Sequence, residues 1–408
     1  MSKVFVTCPS PPALAAPAPD RPRYVLTVDI ARSLRTVEGV VDVTFRANRP
    51  TNKLVFRLWP NAPRSRDEGV RLDVGPVRGF STARPNPTTL VVRLGHDVMG
   101  RSVRVRIPWT LHVGYAGFDR IARFQGGMLL GSFFPILAWD PRRGWVTDPP
   151  AKILAESSTS PVAEFTVRVH APPGLTGVVS DGRAVRDVAV AVGQFRLESA
   201  TVHGVHVRVA VARGGVASPT RILGLATSAL RRLSQLYGAY PWRRYTVVVP
   251  RDFGEGGIEY PTLSFVGASD LTRVVVDHET AHQWFYSLVG NDQVRDPWLD
   301  ETLATWAQQR LDGQRVSPRL PIPLGARRHV GEPVNYWTRF PRAYFWGVYE
   351  EGANALRSLG DDKAVDCALR HYVARRAYSL AQPGDLLDQL NRFIPGAERR
   401  LRAWGIHR

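Results

Sequence analysis

Lysine is nearly absent from this 408-residue sequence: it stands only at positions 3, 53, 152 and 363, although Lys and Arg together number 54. Arginine therefore carries almost all of the formal net charge of +18, and such uniform replacement reflects codon composition more often than a binding task. The arginines are dispersed, as in Arg142-Arg143, Arg231-Arg232, Arg327-Arg328 and Arg399-Arg400, rather than gathered on one helix face. Without clustering, interleaved aromatics or a reader motif, this charge excludes a nucleic-acid-binding class. It leaves a basic surface that attracts acidic peptides or an anionic envelope. Cysteine is equally scarce. Cys8 and Cys367 cannot build a disulfide framework, and both read as free thiols. Long apolar runs are also lacking. The longest, Met128 to Trp139, is interrupted by Gly131, Ser132 and Pro135, too short and too broken to span a bilayer. No transmembrane segment is expected. The N-terminus has one basic residue, a brief apolar stretch and a Pro/Ala-rich segment from Pro9 to Pro22. It falls short of a full export signal. Residues 1–22 read either as a disordered tail or as the remnant of such a signal, which leans localisation toward the envelope or exterior and leaves the cytoplasm open.

What is present is the balance of a folded protein, 44% hydrophobic and 22% charged, at a length that suits two domains. From Tyr24 to about Val211 the texture is short strands. Tyr24, Leu26, Val28 and Ile30 alternate with Val25, Thr27 and Asp29, and Val41, Val43 and Phe45 alternate with Asp42 and Thr44. Period 2 is the strand signal, and clusters such as Asn48-Arg49-Pro50-Thr51-Asn52 supply turns. These patterns predict an antiparallel β-sandwich-like domain over residues 23–212. Near Ala212 the texture changes. Ile222, Leu223, Ala226, Ala229, Leu230 and Leu233 keep helical spacing, strands come next at 245–249 and 262–266, and helical patterns run almost to the end. Residues 213–408 are therefore expected to form a second, mostly helical α/β domain.

The chemistry sits there. His278-Glu279-Thr280-Ala281-His282 is H-E-x-x-H. Residues four apart in a helix share a face, so both imidazoles can point at one ion. Glu279, about 100° round the helix from His278, can reach a water at the metal without binding the metal, the placement of a general base. Gln283 to Val289 continues the helical pattern to a stop at Gly290-Asn291, and Asp296 as N-cap with Pro297 at the first position opens a second helix. Two adjacent antiparallel helices would turn Glu301 back on the histidines as a third ligand, leaving one position open, as a catalytic zinc site requires. Thr305, one turn on, is a candidate partner for Glu301.

H-E-x-x-H, eighteen residues, then Glu resembles the aminopeptidase N family of zinc metallopeptidases, whose catalytic domain is thermolysin-like. The stretch from His278 through Trp298-Leu299-Asp300-Glu301-Thr302-Leu303-Ala304-Thr305-Trp306 is similar to that family's almost throughout. Gly256-Gly257-Ile258-Glu259-Tyr260 resembles its G-[AG]-M-E-N element, and Tyr349-Glu350-Glu351-Gly352-Ala353 its Y-x-K-G-A element. The resemblance implies a substrate strand paired along the Gly256-Gly257 backbone. It makes Glu259 the anchor of a free α-ammonium and Tyr349 the donor to the developing oxyanion. Tyr260, Glu351 and Thr302 depart from the family's Asn, Lys and Gly, the first two beside substrate-facing positions. The family's large helical C-terminal domain has no counterpart here: Asp361 to Arg408 suffices for a few closing helices, and a more open cleft is expected.

Gly254-x-Gly256-Gly257 also has a faint look of a nucleotide loop, but it lacks the G-x-G-x-x-G spacing and a following helix. Alone, Glu259 would be a solvated carboxylate and Tyr349 a core aromatic; only their order around the zinc motif gives them roles. The expectation is one zinc ion per chain, bound by His278, His282 and Glu301, and peptide hydrolysis with Glu279 as base. Peptides are the expected partners and an aminopeptidase the first reading. The alternatives are an endopeptidase with a narrow protein substrate and a catalytically silent peptide-binding member of the fold. Oligomeric state leaves no trace in the sequence.

Overall fold

The computed structural model describes residues 8–114, 119–153, 159–314 and 319–408; the part of the N-terminal expectation that concerns residues 1–7 lies outside it. The alternation read from Tyr24 to Ile30 places Tyr24, Leu26, Val28 and Ile30 in the core. That strand, Arg23–Ile30, sits in a five-stranded sheet ordered Glu164–His170, Arg23–Ile30, Thr36–Arg46, Ser102–His112, Arg71–Val74. A four-stranded sheet, ordered Ile136–Leu137, Thr51–Arg57, Thr89–Val98, Ser81–Asn86, contributes Leu54, Phe56, Leu90 and Val92 to the same core cluster. The two faces make the expected sandwich-like packing. A further four-stranded sheet contains Gly127–Gly131 and Ala189–Gly193, both buried along their whole length. Strands buried on both faces read as continuous apolar runs rather than as alternation.

This third sheet joins the β domain to the C-terminal half. Ala122, Leu129, Val178 and Ala191 share a second core cluster with Ala210, Val248, Ile258 and Phe265. Phe195–Val202 and Val205–Ala212, assigned by their alternation to the first domain, pair instead into the second: the sheet runs Phe195–Val202, Val205–Ala212, Arg244–Val249, Leu263–Val266, Gly257–Tyr260. By sheet membership the strands from Phe195 to Ala212 thus go with the C-terminal half. Period 2 marks a strand but does not say which sheet it joins.

Behind this sheet lies the helix Pro219–Tyr237, opened by Ser218, whose Oγ accepts from Arg221 N. It buries Ile222, Ala226, Ala229, Leu230 and Leu233, the stripe its spacing predicts. The helices Asp362–Arg376 and Pro383–Phe393 close the chain. Two expectations for the tail need correction. Cys8 and Cys367 are not free: they form a disulfide with Cα atoms 5.6 Å apart. From residue 8 onward the tail also lies on the Asp362–Arg376 helix, where Ala15 N donates to Ala374 O at 2.9 Å and Pro9 O meets His371 Nε2 at 3.1 Å. Prolines 9, 11 and 12 hold this segment extended, so it can run along a helix with few ordered contacts. Among the described residues no helix is long and apolar enough to cross a membrane.

Candidate active site

The H-E-x-x-H helix runs Thr272–Ala281 and stops at His282, rather than continuing to Val289 as its apolar pattern suggested. Gln283 explains the break. Its side chain accepts from Thr262 N at 2.8 Å and donates to Tyr260 O at 3.0 Å, tying the chain to the sheet. Tyr286 then takes φ 121°, which no helix accommodates. The next helix, Trp298–Asp312, starts one residue later than expected, with Pro297 rather than Asp296 at the cap and no side-chain cap to it. The Asp296 carboxylate instead faces Arg143 at 3.5 Å, a neighbour from the β domain. The two helices nevertheless bring Glu301 to the histidines.

His278 Nε2 and His282 Nε2 are 3.1 Å apart, and Glu301 Oε2 is 3.4 Å from the first and 3.3 Å from the second. A tetrahedral zinc ion with bonds of about 2.0–2.1 Å holds its ligands about 3.3 Å apart, so this triangle fits the ion. With both rings neutral and their Nε2 atoms unprotonated, the 3.1 Å approach presents two lone pairs to one point, as a shared metal ion requires. His282 Nδ1 lies 3.0 Å from Phe285 O; donation there leaves Nε2 as the acceptor a metal needs. The chemistry of the donors fits as well as the geometry. Glu259, Glu279 and His282 offer ligand atoms within 4.8 Å of one another, so three carboxylates and two imidazoles share one buried site.

Electrostatics follow from that crowding. Burial raises the Glu259 and Glu279 carboxyls, and each is raised further by its acidic neighbours. For His282, burial would lower the pKa, but Glu301, Glu259 and Glu279 outweigh it and the pKa rises; for His278 burial wins and the pKa falls. Glu301 goes below the ordinary carboxylate range because the two imidazoles outweigh its burial. Asp300, buried beside Glu301, is pushed up to about 8. A divalent cation would relieve this excess of negative charge. Glu279 Oε2 and Glu259 Oε1 are buried atoms without a hydrogen-bond partner among the described residues, as groups awaiting a substrate would be.

Gly256, Gly257, Ile258 and Glu259 line a cavity of about 780 Å³ together with Ser65, Asp119 and Arg120 of the β domain. The cleft thus lies between the two domains, as expected. Gly257–Tyr260 is the edge strand of its sheet, paired on one side only, antiparallel to Leu263–Val266. Its free side offers backbone groups to an extended peptide. Tyr349 stacks on His278, ring centroids 5.7 Å apart and planes 9° from parallel. Burial and then Glu301 raise its pKa, which keeps the phenol protonated as a donor.

Three expectations change. Thr305 lines the cavity, but its hydroxyl has no partner among the described residues; a threonine one turn along the helix does not reach the carboxylate of Glu301. That backbone is held instead by Asp300, which accepts from Glu301 N at 2.9 Å and from Gln293 Nε2 at 2.9 Å. Tyr260 does not flank the substrate: its ring is fully buried, and a Cβ on Gly131 would lie 1.9 Å from its hydroxyl oxygen. Glu351 also turns away, accepting from Arg328 N at 2.7 Å. Arg120, which donates to Tyr260 Oη at 3.0 Å and lowers Glu259, escaped the sequence reading, as did Asp119. Both lie some 140 residues before Glu259, and no local motif marks them.

Two histidines from one helix and a glutamate from the next thus converge beside an edge strand, a donor set that fits a zinc ion. Residues 224–320 match the peptidase family M1 domain. The chain is 38% identical over 210 residues to mouse aminopeptidase RNPEPL1, covering 43% of this chain and 28% of that protein. It is 36% identical over 95 residues to rat aminopeptidase B, covering 22% and 14%. The alignments thus span under a third of these curated relatives. In fold it is similar to an M1 zinc metallopeptidase from Deinococcus radiodurans, with a TM-score of 0.68 and 22% identity over 97% of this chain and 95% of that one. The two-domain arrangement is therefore shared along nearly the whole length.

Proposed function

We propose that this protein is a zinc-dependent aminopeptidase releasing N-terminal residues from peptides. The observation that carries the reading is the convergence of His278 Nε2, His282 Nε2 and Glu301 Oε2 on one point, with Glu259 and Glu279 around it. Zinc bound by these three residues would polarise the scissile carbonyl and acidify a water molecule. The edge strand at Gly256-Gly257 pairs with the substrate backbone and fixes its direction. Glu259, buried and beside His282, accepts hydrogen bonds from the substrate's α-ammonium and so selects a free N-terminus. Glu279 takes a proton from the attacking water as its oxygen bonds to the carbonyl carbon. It passes that proton to the amine as the C–N bond breaks. Burial raises its pKa, which strengthens it as the acceptor of that proton. Tyr349 donates to the carbonyl oxygen as negative charge develops there. A variant of the M1 zinc metallopeptidase from Deinococcus radiodurans has been solved with a Tyr-Ser-Ala substrate bound, which supports short peptides as the substrate class.

Two measurements test the proposal. Purified protein should contain one zinc per chain, and chelation should abolish hydrolysis of an aminoacyl reporter. A short peptide should be cut far faster than its N-acetylated form; equal rates would reject the role of Glu259 and leave the endopeptidase reading in its place.

A further inference from the structure

The residue after the third ligand, Thr302, is wholly buried and donates from Oγ1 to Val348 O at 2.5 Å. Val348 immediately precedes Tyr349 in a single wide π-turn, Phe345–Glu350. Seven residues further along the same helix, Gln309 Nε2 donates to Glu350 Oε2 at 3.3 Å, and Gln309 Oε1 in turn accepts from Arg357 Nη2 at 2.7 Å. The helix that supplies Glu301 therefore grips the π-turn on both sides of Tyr349. Two glycines make the fit. A Cβ at Gly352 would lie 2.1 Å from Thr302 Oγ1 and 2.9 Å from its Cβ, so Thr302 has its place because position 352 has no side chain. A Cβ at Gly347 would lie 2.0 Å from Trp337 Cη2, so that ring presses the π-turn from another side. π-turns are costly interruptions of a helix and persist where surrounding contacts hold them.

We propose that Thr302 is a positioning residue: through Val348 O it sets where the Tyr349 phenol stands relative to Glu301 and the metal point. The inference rests on the aminopeptidase reading and deepens its assignment of Tyr349. A phenol displaced by a fraction of an ångström still exists as a donor but meets the oxyanion less well, so kcat falls while ground-state binding is kept.

The test compares wild type with Thr302→Val, Thr302→Ala, Thr302→Ser, Tyr349→Phe and Thr302→Val/Tyr349→Phe. For each, kcat and KM on an aminoacyl reporter, zinc content, melting temperature and affinity for a phosphinic dipeptide are measured. The phosphinic group mimics the tetrahedral oxyanion. Thr302→Val and Thr302→Ala should lower kcat about tenfold with KM within about twofold, against about a hundredfold for Tyr349→Phe. Phosphinate affinity should fall by the same factor as kcat, with zinc retained. Thr302→Ser, which restores the hydroxyl, should return kcat to within about threefold, and in the Tyr349→Phe background Thr302→Val should change kcat less than about twofold. Unchanged kcat in Thr302→Ala, an equal loss without the phenol, or loss of zinc would overturn the proposal. If Tyr349→Phe itself is slow while Thr302→Ala is not, only the role of Thr302 falls. If Tyr349→Phe is as fast as wild type, the assignment of Tyr349 falls with it.

Discussion

Replacing Gly257 by alanine would perturb the proposed base without touching a metal ligand. A Cβ at that position would lie 2.5 Å from both Cγ and Oε1 of Glu279 and 2.6 Å from its Cδ. Comfortable contact needs about 3.5 Å or more, so the carboxylate must retreat by about 1 Å. Gly257 does not use the left-handed backbone region that would penalise alanine, so the strain falls on the glutamate. Moving that side chain off its preferred rotamer costs about 0.5–1.5 kcal/mol, a small change in stability. Catalysis is less forgiving: a misplacement of about 1 Å costs on the order of a hundredfold, or about 2.7 kcal/mol of barrier. The assay is steady-state hydrolysis of an aminoacyl reporter by wild type, Gly257→Ala, Glu279→Gln and the double variant, with zinc content measured in each. The expected pattern is kcat down about a hundredfold in Gly257→Ala, zinc unchanged, and no further loss when it is added to Glu279→Gln. Gly257→Ala with kcat within about threefold of wild type would refute the placement of Glu279 against the strand edge.

Two further outcomes concern groups away from the reacting atoms. Burial pushes the Glu350 carboxyl up to about 7 from an unfolded value of 4.5; the stability its neutral form brings is complete below pH 4.5 and lost as pH rises through 7. Glu350→Gln should flatten that decline, by about 1–2 kcal/mol after allowance for partial exposure, in urea titrations across this range; parallel curves for the two proteins would contradict it. Reducing Cys8–Cys367, whose partners lie 359 residues apart in the chain, should lower stability by about 2–4 kcal/mol while leaving kcat intact, since the tail lies on the Asp362–Arg376 helix and not in the cleft; identical denaturation midpoints for oxidised and reduced protein would count against a stabilising role.

The metal site was legible because its signal is local. His278, Glu279 and His282 fall within five residues, and helical geometry alone puts them on one face. Glu301 needed only one helix reversal more. The alternation of Tyr24 to Ile30 was legible for the same reason, since one face of that strand meets a core and the other does not. Where both faces are buried, as in Ala189–Gly193, the pattern says apolar and nothing about partners. Helix ends failed where a side chain was committed elsewhere: Gln283 to the sheet, Asp296 to Arg143. Such commitments are tertiary and outweigh the weak preferences that periodicity and capping express.

Departures from a family pattern are similarly uninformative until their neighbours are known. Tyr260 looked like a change in the substrate channel, yet Gly131 leaves the space its ring fills, and Arg120 satisfies its hydroxyl from 140 residues away. The change is absorbed by the core, and Tyr260 does not line the cleft. Thr302 stands where the family commonly has Gly; Gly352 opposite leaves room for its side chain, and the hydroxyl gains Val348 O. In each case a larger side chain stands against a glycine on another element. A single sequence displays both residues but not their contact. Such compensated pairs preserve the positions of Glu259 and Glu301 while the residues next to them change, which is why the chemistry remained readable where the flanking positions misled.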